Sequence, residues 1–286
     1  MAGKIFLVAT PIGNLEDISS RALKTIASCD LLACEDTRNT LKLLNHFHIR
    51  VPMTSYHEYN KIEKAYVLCK EAREGKTIAL VSDAGMPGIS DPGEELVRIA
   101  QEEGIEVCVV PGACAAVSAL AVSGLSSRRF AFEGFLPSDK KERALVLEEM
   151  KQESRTMVLY EAPHRLMKTL GELRDALGNR RISLVRELTK IHEEVFFTDL
   201  TRALESFESH QRMVRGEYVL VLEGVSPAKK QQIKQEAFRE MDLYAHLEWY
   251  RSQGMEEKEA MKQVARDRGV SKREVYSALL KKEGKR

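Results

Sequence analysis

Charged side chains follow directly after several short apolar runs of this sequence, and their types suit proton transfer and anion binding. The groups that could accept a proton are Glu35, Asp36, Glu161, His164, Glu187 and Glu193. The cations that could hold an anionic group are Arg38, Arg165, Arg186 and Lys190. Positioned acids, bases and cations carry much of enzyme chemistry. The alternatives are a surface ion pair for Glu187 and Lys190, three residues apart, and an ordinary first-turn helix residue for His164.

The stretch 78–93 combines an apolar strand with a long, glycine-rich loop. Ile78–Val81 is a continuous apolar run, typical of a strand covered on both faces of a parallel sheet. The following loop contains Asp83, three glycines and two prolines, and Asp91 and Pro92 predict the N-cap and first residue of a helix. Ligands of open α/β sheets bind beyond the carboxyl ends of strands. We therefore expect a small-molecule site here, although an ordinary strand-to-helix connection, usually about two to six residues long, is the alternative.

Length and composition are those of a globular protein with more than one domain. The chain has 286 residues, which suits two or three domains. It contains no run of about 18 apolar residues, and its first residues enter a strand pattern without a signal-peptide layout. We therefore expect a cytoplasmic protein with no membrane partner. The five cysteines lack CxxC or Cys/His metal spacing, which favours reduced, buried thiols and no metal.

The charge is distributed unevenly along the chain. Residues 228–286 carry 15 Lys and Arg against 10 Asp and Glu, a net charge of +5, whereas the preceding residues carry 29 against 33, a net charge of −4. A basic tail on an acidic body suggests an anionic partner larger than the ligand of the site. Solvated helices are the alternative explanation.

Alternating strand and helix patterns predict an α/β protein. We expect an N-terminal α/β domain with a mostly parallel sheet over 1–125, a second α/β domain with a mixed sheet over 126–227, and a basic, helix-turn-helix-like module over 228–286. In the second domain, the strands 195–197 and 218–222 are predicted to pair with each other. In the module, the apolar side is predicted to comprise Met261, Val264, Ala265, Tyr276, Leu279 and Leu280, with a break at Gly269 and a capping box over 271–274.

Common catalytic and nucleotide-binding motifs are absent from the sequence. No GxGxxG follows the first strand, and GxxxxGK[ST], HExxH and GxSxG do not occur. What remains is a set of Pro/Gly loops at predicted strand ends, at Pro11, 85–93 and 111–112. We expect the site to lie between the two α/β domains, where these loops face motifs of the second domain.

A series of short motifs occurs in order over about residues 4–224. The motifs are TPIGNL (10–15), EDTR (35–38), SDAG (82–85), ISDPG (89–93), EGFLP (133–137), PHR (163–165), RELTK (186–190) and GE (216–217). Together they resemble the tetrapyrrole methylase superfamily, and within it the branch that methylates small-subunit ribosomal RNA. The resemblance implies a two-domain homodimer that holds S-adenosylmethionine in the interdomain cleft. It also implies methylation of a cytidine ribose 2′-hydroxyl in 16S RNA, as naked RNA or in an assembling small subunit.

Residue types and the resemblance together indicate which residues form the site. From their chemistry, the candidate catalytic and acceptor-binding residues are Glu187, Lys190, Asp36, Arg38 and His164. The implied methyl-donor contacts are Pro11, Asp83, Ala84, Gly85, Met86, Gly88, Ile89, Cys114, Ala115, Tyr160, Glu161, Gly216 and Glu217. Met86, Gly88 and the Ala113-Cys114 pair depart from the usual family pattern, so we expect altered donor affinity with activity retained.

Two other functions fit parts of the sequence. A methyltransferase acting on a tetrapyrrole or another small molecule would share the fold and the donor, but would leave the basic tail without a purpose. A non-enzymatic nucleic-acid-binding regulator would use the tail, but would leave the glycine-rich loops of the body unused. Binding of S-adenosylmethionine separates the regulator from both methyltransferases.

Overall fold

The computed structural model of the chain describes residues 3–226, 228–230, 238 and 241–283, with side chains up to residue 277. Residues 1–150 and 155–223 form one compact unit, and residues 151–154 and 224–286 form a second. The first unit contains two five-stranded sheets. The two α/β domain boundaries given above remain predictions.

The first sheet is parallel throughout, with strand order β3-β2-β4-β1-β5. Its strands are β1 (Lys4–Val8), β2 (Leu31–Cys34), β3 (Met53–Ser55), β4 (Ile78–Val81) and β5 (Glu106–Val110). All four residues of β4 are buried, and this strand lies at the centre of the sheet. The prediction of a central strand from its continuous apolar run is therefore confirmed.

Helices cover the strands of this sheet. They are α1 (Ser20–Ser28), α2 (Thr37–His46), α3 (Lys61–Arg73) and α4 (Gly93–Glu102), with a 3-10 turn at Leu15–Asp17. The next helix, α5 (Ala115–Val122), packs against the second sheet instead. The predicted start of α4 is wrong by one residue, since Pro92 is the N-cap and the helix begins at Gly93. Asp91 still stabilises this end, because its Oδ1 accepts the N–H groups of Gly88 at 2.8 Å and Gly93 at 2.7 Å. The Asp91 carboxylate thus both closes the glycine-rich loop and caps the start of α4.

The second sheet is mixed, with strand order β6-β7-β10-β8-β9. Its strands are β6 (Phe130–Phe135), β7 (Thr156–Glu161), β8 (Arg181–Arg186), β9 (Glu194–Asp199) and β10 (Tyr218–Leu222). Only β6 and β7 run parallel, and the other neighbours are antiparallel. Its helices are α6 (Lys140–Met150), α7 (Pro163–Leu177) and α8 (Leu200–Glu208).

The predicted pairing of 195–197 with 218–222 is wrong. Strand β9 pairs with β8, and β10 lies between β7 and β8. All five residues of β10 are buried, which requires neighbours on both edges, whereas β9 alternates between exposed and half-buried residues, as an edge strand does. A short loop also joins β8 directly to β9, which favours their antiparallel pairing.

Within residues 241–283, the second unit forms the helices α9 (Leu243–Ser252), α10 (Glu257–Arg268) and α11 (Lys272–Glu283). Gly269 ends α10 in the left-handed conformation, with φ 67°. The capping box is confirmed, because Ser271 and Glu274 exchange hydrogen bonds at 2.7 and 3.2 Å. A small core of its own contains Leu247, Tyr250, Ala260, Met261, Val264, Ala265 and Val275.

One predicted member of this apolar side is wrong. Tyr276 is 53% exposed, and the preceding Val275 is buried instead. Met261, Val264 and Ala265 are buried as predicted. The side chains of Leu279 and Leu280 lie outside the described residues. Within the described part of the chain, no helix is both long and apolar enough to span a membrane.

Candidate active site

A cavity of about 400 Å³ lies at the ends of strands from both sheets of the first unit. Most of the predicted donor contacts line it, namely Asp83, Ala84, Gly85, Met86, Ile89, Cys114, Ala115, Tyr160, Glu161 and Glu217. Lys190 also lines it, together with Glu35. Loops that are far apart in the sequence therefore form one concave site, of a size typical of small-molecule pockets.

The glycine-rich loop after β4 is held against the loop after β1. Thr10 and Gly85 exchange two backbone hydrogen bonds of 2.9 and 3.2 Å, and the Thr10 hydroxyl donates to the Ser82 carbonyl at 3.2 Å. Gly85 has φ +88°, and a Cβ there would lie 3.1 Å from Cγ2 of Ile12. Only glycine adopts this conformation readily, so the loop keeps its backbone open to the cavity.

The opposite wall of the cavity combines Tyr160, at the end of β7, with the first turn of α5. The N–H of Ala116 donates to the Tyr160 hydroxyl at 3.2 Å. The Phe132 and Phe135 rings lie 5.1 and 5.5 Å from the tyrosine ring, measured between centroids. Burial raises the pKa of Tyr160 to about 12, so the phenol stays neutral and serves as a positioning group.

The lining of this cavity is strongly acidic. Desolvation raises the pKa of Glu35, and the negative charges of Asp83 and Asp91 raise it further. Burial likewise raises the pKa of Asp91. Lys190 is the only cation among the described lining residues, which include the carboxylates Glu35, Asp83, Asp91, Glu161 and Glu217. The field of this cavity therefore favours a positively charged ligand.

Lys190 is held between two carboxylates at one side of the cavity. Its Nζ lies 3.0 Å from Oε1 of Glu187 and 2.7 Å from Oε2 of Glu217. Desolvation by itself would lower the pKa of Lys190, but the two carboxylates raise it. Desolvation would likewise raise the pKa of Glu187, but the N–H of Glu217 and the Lys190 ammonium lower it. The ammonium group and Glu187 are thus fixed as an ion pair.

Glycine at position 216 makes this arrangement possible. Gly216 has φ +78°, and a Cβ there would lie 2.6 to 2.8 Å from side-chain atoms of Glu187. Glu187 itself has φ 50°, an uncommon conformation for a residue with a side chain. Gly216 is not a lining residue of the cavity. Its role is to leave room for the Glu187 carboxylate, which holds Lys190.

The loop after β8 also packs on the first loop of the other sheet. The N–H of Asn14 donates to the Thr189 hydroxyl at 3.1 Å, and a Cβ on Gly13 would lie 2.5 Å from Cγ of Lys190. The predicted catalytic pair at 187 and 190 is therefore positioned from both sheets. The sequence motifs 10–15 and 186–190 come together at this contact.

Of the predicted catalytic residues only Lys190 lines the cavity; Glu187 lies behind it, and Asp36, Arg38 and His164 are also outside the lining. Asp36 is the N-cap of α2 and forms an ion pair with Arg38 at 2.7 Å, which lowers the pKa of Asp36 to about 2. The N–H of Asp36 also donates to Asp83 at 3.1 Å, so this residue supports the cavity floor. His164 is exposed in the first turn of α7. The Arg38 side chain is 86% exposed, so its guanidinium group faces solvent while it pairs with Asp36.

Three further predicted residues have distinct positions. Pro11 lines a neighbouring cavity of about 260 Å³, together with Asn39 and Lys42. Gly88 is not a lining residue, and its N–H closes the loop by donating to Asp91. Glu161 lines the cavity but is 2% exposed, and its carboxylate accepts hydrogen bonds from Thr169 and from the N–H of Ala162. Glu161 thus stabilises the second sheet as well as lining the site.

Several lining residues were not anticipated from the sequence. They are mainly apolar, namely Ile12, Phe135, Ala162, Pro163, Val185, Leu188, Tyr218 and Val219, with Ser82, Ser90 and Asp91 in addition. Val185 and Val219 are directly paired across β8 and β10. The wrong pairing predicted for β10 hid this apolar wall. The correct strand order would have brought both residues beside Tyr160, which pairs with Val219.

Two five-stranded sheets with one cavity at their strand ends are the architecture that the sequence resemblance implied, and a family match identifies its class. Residues 4–204 match the family model of Tetrapyrrole (Corrin/Porphyrin) Methylases. A solved structure of uroporphyrin-III C-methyl transferase from Thermus thermophilus, complexed with S-adenyl homocysteine, shares this fold. Its TM-score is 0.55 with 19% identity, covering 77% of this chain and 97% of that chain.

Similarity to curated relatives extends over nearly the whole chain. The "Ribosomal RNA small subunit methyltransferase I" of Halalkalibacterium halodurans is 48% identical over 275 residues, covering 96% of this chain and 94% of the relative. The protein of the same name from Bacillus subtilis is 44% identical over 276 residues, with the same coverage. The chain therefore belongs to the tetrapyrrole methylase family, in its ribosomal RNA small subunit methyltransferase I branch.

Proposed function

We propose that this chain transfers the methyl group of S-adenosylmethionine to the 2′-hydroxyl of a cytidine ribose in small-subunit (16S) ribosomal RNA. The observation that carries the proposal is the acidic cavity of about 400 Å³ between the strand ends of the two sheets. The names of the relatives, together with the sequence resemblance, supply the acceptor.

The residues of the cavity fit a cationic donor with a flat base. S-adenosylmethionine supplies an electrophilic methyl group on a positively charged sulfur. Glu35, Asp83 and Asp91 favour that charge, and the open backbone at Gly85 allows the ligand to approach closely. Ile89, Val185 and Val219 provide apolar surface for the base. Asp83, Ala84, Gly85, Met86, Ile89, Cys114, Ala115, Tyr160, Glu161 and Glu217 are the proposed donor contacts that line the cavity, with Pro11, Gly88 and Gly216 supporting their loops.

Lys190 and Glu187 are the proposed residues on the acceptor side. A ribose hydroxyl is neutral, so it must give its proton to a base of the site or to water as its oxygen takes the methyl group and the donor sulfur becomes neutral. The Lys190 ammonium, fixed by Glu187 and Glu217, can orient the hydroxyl oxygen and stabilise negative charge that develops on it. Positioning of this kind can supply effective molarities of about 10⁵ to 10⁸ M, more than the about 10²- to 10⁴-fold typical of a general base. Orientation therefore dominates the proposed mechanism, with Asp36, Arg38 and His164 placed to guide the RNA.

We also infer a homodimer in the cytoplasm. The first unit exposes large apolar side chains, among them Val109, Val117 and Val122, at 55%, 54% and 48% exposure. Exposed apolar surface of this kind is often covered by a second copy. The proposed substrate is assembled in the cytoplasm. Light scattering of the purified protein tests the dimer directly.

The basic helical module, residues 228–286, is proposed to dock on RNA. Its net charge of +5 contrasts with −4 for the rest of the chain. Helices α9 to α11 have a core of their own, which suits an independent binding module. The cap of α11 begins at Ser271, just before the basic residues Lys272 and Arg273.

The proposed function is tested by methyl transfer in vitro. Small subunits purified from cells that lack this chain should accept a labelled methyl group, and the label should map to one cytidine ribose. Transfer to a tetrapyrrole, with none to ribosomal particles, would support the small-molecule alternative. Failure to bind S-adenosylmethionine would support the regulator.

A further inference from the structure

A second cavity, of about 550 Å³, lies against the second sheet and is lined by cations. Arg186, Arg212 and Arg215 line it, and Glu194 is the only carboxylate among its described lining residues. A ligand of this cavity should therefore be negatively charged, whereas the acidic cavity favours a positively charged ligand. Arginine is the residue best suited to planar, bidentate recognition of phosphate.

The arginines are arranged so that positive charge remains available. Glu194 bridges two of them, with its Oε2 3.2 Å from Arg186 and its Oε1 in contact with Arg212. No carboxylate among the described residues pairs with Arg215, which is exposed. The Nε of Arg186 is buried and has no acceptor within the described part of the chain. A buried donor without a hydrogen-bond partner lowers stability, so we expect a ligand to supply the acceptor for this atom.

The same cavity offers a surface for a base. The guanidinium carbon of Arg212 lies 3.6 Å from the centroid of the Phe196 ring. Both side chains line the cavity, as does Tyr218. Stacked guanidinium and aromatic planes bind unpaired bases without regard to sequence.

The position of this cavity relates it to the acidic one. Tyr218 lines both cavities, and Arg186 is the residue that precedes Glu187 at the end of β8. Arg186 and Glu194 are paired across β8 and β9, and Arg186 and Tyr218 across β8 and β10. The end of β8 therefore separates the two sites. One monomer of an extended polyanion could occupy the arginine cavity while the next monomer of the same polymer reaches Lys190.

We propose that the cavity lined by Arg186, Arg212 and Arg215 binds a nucleotide of the RNA strand next to the methylated ribose. Arg215 and the free Nε of Arg186 hold its phosphate, and Arg212 on Phe196 stacks with its base. This inference rests on the proposed function, since it extends the acceptor path of the same site. It assigns a specific task to Arg212 and Arg215, which lie outside the motifs of the methylase site.

Arg215→Ala tests the phosphate contact with little risk to folding, because the side chain is exposed and forms no ion pair with any described residue. Each single-strand phosphate contact contributes about 0.7 to the slope of log affinity against log salt concentration. With 1 M salt as the reference, one contact therefore contributes about fourfold to the affinity at about 0.15 M salt. We expect Arg215→Ala to lower the slope by that amount and to raise KM for small subunits about fourfold. Arg215→Lys should retain the slope. Donor affinity should be unchanged in both variants.

Arg212→Lys tests the stacking contact, because it keeps the charge and removes the planar group. We expect weaker binding of a single-stranded fragment of small-subunit RNA, by about fivefold or more, with an unchanged salt slope. Arg128→Ala is the matched control, since Arg128 is exposed just before β6, at the other end of the second sheet. It should change neither quantity.

The possible outcomes separate this inference from the proposed function. Wild-type RNA affinity, slope and KM in both Arg215→Ala and Arg212→Lys would overturn the inference while leaving the proposed function intact. Absence of methyl transfer by the wild-type protein would refute the proposed function, and the fragment-binding slopes would still decide whether the cavity holds RNA. A change of oligomeric state in Arg215→Glu would overturn the inference and assign the cavity to a contact between copies.

Discussion

Replacement of Gly85 by valine should remove most donor binding, because two separate features of the structure oppose a side chain at this position. Gly85 has φ +88°, and a Cβ would lie 3.1 Å from Ile12 Cγ2 and 3.4 Å from the Ala113 carbonyl oxygen. The left-handed conformation costs a β-branched residue about 1 to 3 kcal/mol. The loop can relieve this strain by giving up its backbone hydrogen bonds to Thr10, which donor binding must then restore. Since each 1.4 kcal/mol is about tenfold in affinity, we expect a loss of about 5- to 150-fold.

The same substitution at Gly104 is a matched control. Gly104 has φ +67°, with no atom within 4 Å of an added Cβ, and it lies after α4 and outside the cavity lining. Both variants should therefore lose stability, but only Gly85→Val should lose affinity for S-adenosylmethionine. Isothermal titration calorimetry and thermal unfolding measure the two effects. Normal donor affinity in a folded Gly85→Val protein would refute the placement of the donor against this loop.

Three other predictions follow from the charges of the site and the module. Lys190→Ala should lower methyl transfer to small subunits by about tenfold or more, because it removes the charged hydrogen-bond donor next to Glu187. Wild-type rates at several salt concentrations would contradict this. Glu35→Gln should raise the melting temperature more at about pH 8 than at about pH 4. The pKa of Glu35 is higher in the folded protein than in the unfolded chain, so ionisation of this carboxyl opposes folding once the pH exceeds the ordinary carboxyl pKa. An equal effect at both pH values would contradict the assigned environment, although exposure of this side chain keeps the effect small. Truncation after Ser226 should weaken RNA binding and reduce its salt slope by about 0.7 for each lost phosphate contact, and an unchanged slope in filter binding would make the module structural.

Much of the fold could be predicted from the sequence because local patterns determine it. The continuous apolar run of β4 identified a strand buried on both faces, and the capping box at Ser271 identified the start of α11. The position of β10 could not be predicted in this way. Its sequence shows burial on both faces, but the identity of its neighbours depends on contacts between distant segments.

The candidate site was predictable where glycine or a charged motif marks a loop. Gly85 and Lys190 belong to such motifs, and both line the cavity. Apolar wall residues such as Val185 look like any core residue in the sequence, and only the strand order brings them to the cavity. The role of Gly216 as space for the Glu187 side chain likewise depends on a tertiary contact, which no local pattern records.

The central claim is that this chain methylates one cytidine ribose of small-subunit RNA, and mapping of ribose methylation by mass spectrometry tests it most directly. Small-subunit RNA from cells with the intact chain, from cells without it, and from cells carrying Lys190→Ala should be compared. We predict one 2′-O-methylcytidine that is present with the intact chain, absent without it and reduced by the substitution. Identical methylation in cells with and without the chain would contradict the claim.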